Sequence, residues 1–118
     1  MTISVLIVDD DAGFRRVAAE LLGTRGYSVL AAASRVDEAF ELVKATEPDA
    51  VLLDVNLEDG DGISLAARLS AEPDSPRVLL TSTDAGAAPP RLVAECGAAG
   101  FVAKSDLADA DVDRYFKR

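Results

Sequence analysis

Two spacings of apolar residues alternate along the chain. Residues 2–8, 27–33, 50–56, 77–81 and 98–103 each hold a short, nearly unbroken apolar run, the pattern of strands buried on both faces. Between these runs the apolar positions recur every three or four residues. Phe14, Val17, Ala18, Leu21 and Leu22 form one such stripe, preceded by Asp9-Asp10-Asp11 and stopped at Gly26. Val36, Ala39, Phe40 and Val43 form the next, with Ser34 placed to cap it, Asp37 approximating a capping box and Glu47-Pro48-Asp49 ending it. A third helix is predicted over 63–71 and a short fourth over 90–95, from Pro90 to the stop at Gly97. A last helix is predicted over 109–117, with Val112, Tyr115 and Phe116 facing inwards. Strands alternating with helices in this way predict an α/β architecture, a doubly wound parallel sheet with right-handed crossovers.

Composition narrows the picture. The 118 residues read as one domain over 1–118, large enough to bury a core without disulfide or metal staples. The single cysteine, Cys96, excludes an internal disulfide, fits a reduced, cytoplasmic setting and reads as a small buried apolar residue. No apolar run approaches the roughly 20 residues that cross a bilayer, and no basic leader precedes the first strand, so no membrane partner is expected. The net charge of −9, from 21 acidic and 12 basic residues, argues against direct binding of nucleic acid, which draws on a cationic face. With no histidine in the chain, every mechanism that needs an imidazole from it is excluded.

The chemistry concentrates where strands end. Asp9 and Asp10 follow the first strand, Asp54 closes the third, Thr81 ends the fourth and Lys104 follows the fifth. In an open α/β sheet the carboxyl ends of the strands are where ligands bind. An acidic residue there can also be only a helix cap, and a Lys or Thr can be only solvated, so the weight lies in the coincidence. Carboxylates gathered at one point repel unless a cation compensates, and a hard divalent ion such as Mg²⁺ takes oxygen ligands. A lysine suits a phosphoryl oxygen and a hydroxyl can donate to another. A carboxylate beside Mg²⁺, Lys and a hydroxyl describes an acyl-phosphate site with Asp54 as nucleophile.

Val8-Asp9-Asp10, Leu53-Asp54-Val55-Asn56 with Asp61-Gly62, Leu80-Thr81-Ser82 and Gly100-Phe101-Val102-Ala103-Lys104 together resemble the receiver domains of two-component response regulators. The likeness runs over about residues 3–116. It implies a flavodoxin-like (βα)5 sandwich with strand order 2-1-3-4-5. It implies further that Asp54 is the phosphoacceptor, served by a histidine kinase or phosphotransfer protein, and that the domain catalyses its own phosphorylation and dephosphorylation without being a turnover enzyme. Asp9 and Asp10 correspond to the acidic pair that holds Mg²⁺, or Mn²⁺ in its place, together with Asp54 and the backbone carbonyl of Asn56. Thr81 and Lys104 resemble the switch hydroxyl and the phosphate-binding lysine, and Phe101 the aromatic that follows the hydroxyl. Output then passes through the face made of the fourth helix, fifth strand and fifth helix, to a downstream protein or effector domain or to a second copy in a homodimer.

The chain departs from the family pattern in places. Ser105 stands where a proline often follows the lysine, Glu58 replaces a frequent proline after the phosphoacceptor, and the segment from Ser82 to Pro90 is long for its place. Asp11 reads as a solvated or capping residue. Arg15 and Arg16 fit either plain surface charge or a kinase-docking edge. The run from Asp54 begins like a calcium loop, but Asp59 stands where glycine is required and Leu65 where glutamate is. A nucleotide or flavin carrier lacks its Gly-rich loop after the first strand. A receiver-like interaction module independent of phosphorylation is the remaining alternative.

Overall fold

Residues 2–118 are described in the computed structural model. The strands β1 (Ser4–Val8), β2 (Ser28–Ala33), β3 (Ala50–Asp54), β4 (Arg77–Ser82) and β5 (Gly100–Ala103) form one parallel sheet in the order 2-1-3-4-5. They alternate with α1 (Ala12–Thr24), α2 (Val36–Thr46), α3 (Gly62–Ser70), α4 (Pro90–Glu95) and α5 (Asp113–Phe116). This is the flavodoxin-like α/β fold. A two-residue hairpin, Asn56–Leu57 against Gly60–Asp61, joins β3 to α3.

Side chains on a strand point alternately to the two faces, and here both faces are covered. Val5, Ile7, Leu52 and Leu79 pack with Ala18 and Leu22 of α1 and Val112 and Phe116. Leu6, Val8, Val51, Leu53, Val78 and Leu80 pack instead with α2, α3 and α4 through Ala39, Leu65, Leu69 and Val93. Every residue of β3 is buried, as its unbroken apolar run requires.

Three local expectations are corrected. Val17 is 62% exposed, so the inward stripe of α1 is narrower than its apolar residues suggest. The N-terminus of α2 is not capped by Ser34. The carboxylate of Asp59, from the hairpin, accepts from the Val36 amide at 2.7 Å and lies 3.5 Å from the Arg35 guanidinium, so the cap comes from another element. The helix predicted over 109–117 is instead a 3₁₀ segment, Lys104–Asp109, followed by a single turn at Asp113–Phe116. The chain between is tied by tertiary contacts: the Arg25 guanidinium binds the carbonyls of Ala108 and Ala110, and the Tyr27 hydroxyl binds Asp113. Val112 and Phe116, four residues apart, still bury their side chains. The short α4 falls where Pro90 and Gly97 place it, and Cys96 is buried at its end.

Candidate functional site

Asp9 leaves β1 with its carboxyl already held. Its Oδ1 accepts from the Asp11 amide at 2.8 Å, and Asp11 caps α1 by accepting from the amides of Gly13 and Phe14. Asp54, at the end of β3, accepts at Oδ1 from the Asn56 amide at 3.2 Å. Behind it α3 starts at Gly62, where any side chain would run into the Asp54 carbonyl, so glycine is required by close approach. Thr81 is paired with Asp54 across β3 and β4. By alternation, Asp9, Asp54 and Thr81 all fall on the α1 side of the sheet.

Lys104 closes the group from the carboxyl end of β5. Its Nζ lies 2.7 Å from Asp9 Oδ2 and 3.4 Å from Asp54 Oδ2, with the side chain 12% exposed. The Lys104 ammonium is thus the partner of Asp9 Oδ2. Asp10 is exposed, and one carboxylate oxygen each from Asp9, Asp10 and Asp54 lies within 4.8 Å of the others. The Thr81 hydroxyl is fully buried and unpartnered. A buried polar group left unpaired costs about 1–3 kcal/mol, which native structures accept mainly where a ligand or a motion supplies the missing bond.

Charge at this point is finely opposed. Burial pushes the Asp54 carboxyl above the ordinary aspartate value of 3.8; the Asn56 amide resists, Asp9 adds to the rise and Lys104 opposes it. Burial alone would lower the Lys104 ammonium, but Asp9 and Asp54 more than offset it and hold the amine above its ordinary 10.5. Three carboxylates that offer only oxygen, with a single ammonium among them, fit a hard divalent cation.

Asp9, Asp10, Asp54, Thr81 and Lys104 are thus brought to one edge, with Asn56 beside them on the hairpin. Phe101 and Thr81 lie on opposite faces of the sheet. The register pairs Phe101 with Leu80, while Thr81 faces Val102, so the aromatic is half-buried on the α4 side of the sheet. The Lys104–Ser105 peptide is trans. Two residues near the site escaped the sequence. The Arg15 guanidinium donates to the Asp9 carbonyl at 2.6 Å, and the Phe14 ring lies under the Lys104 ammonium, 4.3 Å from its centroid. Their only sequence signal is position, one turn after the acidic run.

A flavodoxin-like sheet with an acidic, lysine-closed edge defines a class of α/β domains. Within it, the chain belongs to the response regulator receiver domain family, whose pattern it matches over residues 5–111. It is 35% identical over 114 residues to a protein-glutamate methylesterase/protein-glutamine glutaminase of Anaeromyxobacter dehalogenans, covering 96% of this chain and 33% of that protein. The chain therefore spans about a third of the length of that relative. Among solved structures, a two-component response regulator of the LuxR family from Aurantimonas sp. SI85-9A1 superposes with a TM-score of 0.86 at 31% identity, over 96% of this chain and 81% of that one. A response regulator structure from Chloroflexus aurantiacus J-10-fl gives a TM-score of 0.86 at 27% identity, over the full length of both chains. No helix among the described residues is long and apolar enough to cross a membrane.

Proposed function

We propose that this receiver domain is a phosphoacceptor. A carboxylate oxygen of Asp54 attacks the phosphorus of a donor, a histidine kinase, a phosphotransfer protein or a small acyl phosphate, and the bond from phosphorus to the leaving group breaks as the acyl phosphate forms. Hydrolysis of that acyl phosphate later restores Asp54. The observation that carries this reading is the setting of Asp54: buried, held by one backbone amide, and flanked by the Lys104 ammonium.

Asp9, Asp10, Asp54 and the backbone carbonyl of Asn56 would hold Mg²⁺, with Mn²⁺ as a substitute. Bound there, the cation would neutralise the carboxylates and draw charge from the phosphoryl oxygens. Lys104 supplies a fixed positive charge to the same oxygens. The Thr81 hydroxyl, lacking a partner, is free to turn towards the new phosphoryl group. Phe101, half-buried on the neighbouring strand, then changes its packing, and the α4–β5–α5 face passes the change to a protein partner. The test is acetyl phosphate with Mg²⁺, read by intact mass. Wild type gains one phosphoryl group and Asp54→Asn gains none; equal masses for the two proteins would refute the assignment.

A further inference from the structure

Besides its two carboxylates, Lys104 has a third partner of a different kind. Its ammonium lies over the face of Phe14, 4.3 Å from the ring centroid, on a side chain that is 12% exposed. We propose that Phe14 is a positioning residue for Lys104: its ring keeps the ammonium at the strand ends when a divalent cation occupies the carboxylates. This rests on the phosphoacceptor reading above.

The argument is one of competition. Lys104 leaves β5 on a flexible four-carbon stem, and both of its anionic partners, Asp9 and Asp54, belong to the oxygen set that a hard cation would take. A divalent ion there repels the ammonium from the very groups that hold it. The aromatic face attracts the ammonium through its quadrupole but offers no oxygen, so that attraction survives metal binding. It is also stronger at a desolvated site than at an exposed one.

Phe14 is well placed for this. It sits in the first turn of α1, where its amide donates to Asp11 Oδ1, while the Asp11 amide donates to Asp9 Oδ1. The ring and the acidic pair are therefore parts of one bonded turn. Neighbouring Arg15 already donates to the Asp9 carbonyl at 2.6 Å and supplies no substitute attraction, since it too is a cation.

The lysines are Lys44, Lys104 and Lys117, so ¹³C-lysine labelling of the full chain gives a spectrum simple enough to assign. Lys44 lies over Phe40 and serves as an internal control, while Lys117 pairs with Asp113. The ε-methylene protons of Lys104 are expected to be shifted upfield by the ring, with and without saturating Mg²⁺. Phe14→Leu should abolish that shift and leave the Lys44 signal in place. With acetyl phosphate at saturating Mg²⁺, Phe14→Leu should be phosphorylated about five- to tenfold more slowly, while Phe14→Tyr stays within about twofold of wild type. Mg²⁺ affinity, followed by amide shifts, should change less than about twofold in either variant.

An unshifted Lys104 signal in Mg²⁺-loaded wild type overturns the proposal, and this measurement needs no variant to fold. Phosphorylation of Phe14→Leu at the wild-type rate also overturns it. Wild type that never gains a phosphoryl group overturns the phosphoacceptor reading itself, and with it the role given to Phe14, a result distinct from either of the other two.

Discussion

The two edges of the same sheet treat their polar groups in opposite ways. At the amino edge, Asp49 Oδ2 accepts from both the amide and the hydroxyl of Ser4, at 2.8 and 3.0 Å, and the Asp49 carbonyl accepts from the Arg77 amide. Arg77 in turn donates from Nε to the Tyr115 carbonyl. At the carboxyl edge, Asp9 and Asp54 are buried and share one ammonium, and the Thr81 hydroxyl has no partner. One edge is closed by the chain's own hydrogen bonds. The other is left incomplete at a cost in stability, and incomplete bonding in a buried site is what a ligand can complete.

Substitutions at the two edges should separate these roles. The largest effect is expected from Lys104→Ala, which leaves Asp9 and Asp54 without their cation. Removing one partner of a buried pair should destabilise the chain by about 2–3 kcal/mol in urea melts without divalent ions. Adding Mg²⁺ should raise the melting temperature more in this variant than in wild type, since the ion replaces the missing charge. A Lys104→Ala variant no more responsive to Mg²⁺ than wild type would erase the contrast between the edges.

Asp49→Ala should cost about 1–2 kcal/mol through loss of its two Ser4 bonds. Its deficit should be the same with and without Mg²⁺, and phosphorylation by acetyl phosphate should proceed at the wild-type rate. A smaller and pH-dependent effect is expected from Asp54→Asn. The Asp54 carboxyl is held above its ordinary value, chiefly by burial, so the folded chain binds that proton more tightly than the unfolded chain. The stability this contributes is complete below the unfolded value of 3.8 and is lost as pH rises through the folded one. Asp54→Asn should therefore be the more stable protein at pH 7, and melts at falling pH should show the gap closing below the folded value. A gap that widens on acidification would reverse the sign. The smallest effect should be that of Thr81→Ala, within about 0.5 kcal/mol of wild type, because relief of the unpaired buried hydroxyl offsets the buried methyl lost with it. A loss above about 1 kcal/mol would mean that the hydroxyl is satisfied in solution.

Much of this molecule can be read from residue order. The apolar runs and stripes place the strands within two residues, the short α4 is bounded by Pro90 and Gly97, and Asp11 caps α1. Strand ends are local events, and a polar residue that breaks an apolar run marks them wherever the strand ends up in space. The sheet then carries Asp9, Asp54 and Thr81 to one edge because its strands are parallel and in register. The last helix was less legible, since 104–116 takes its shape from Arg25 and Tyr27, which lie more than eighty residues away in the chain. The cap of α2 by Asp59 and the separation of Phe101 from Thr81 onto opposite faces likewise depend on neighbours and register.

What the sequence by itself determined is therefore the sheet, its order of elements and the polar residues delivered to its carboxyl edge. Period and strand ends are properties of consecutive residues. Only the tertiary structure decided which of those polar groups are satisfied. That Asp49 is bonded to Ser4 while the buried Thr81 hydroxyl has no partner, and that Lys104 rests on the face of Phe14, depends on distances between side chains far apart in the chain. Such distances are set by how helices pack on the sheet, which no single segment encodes.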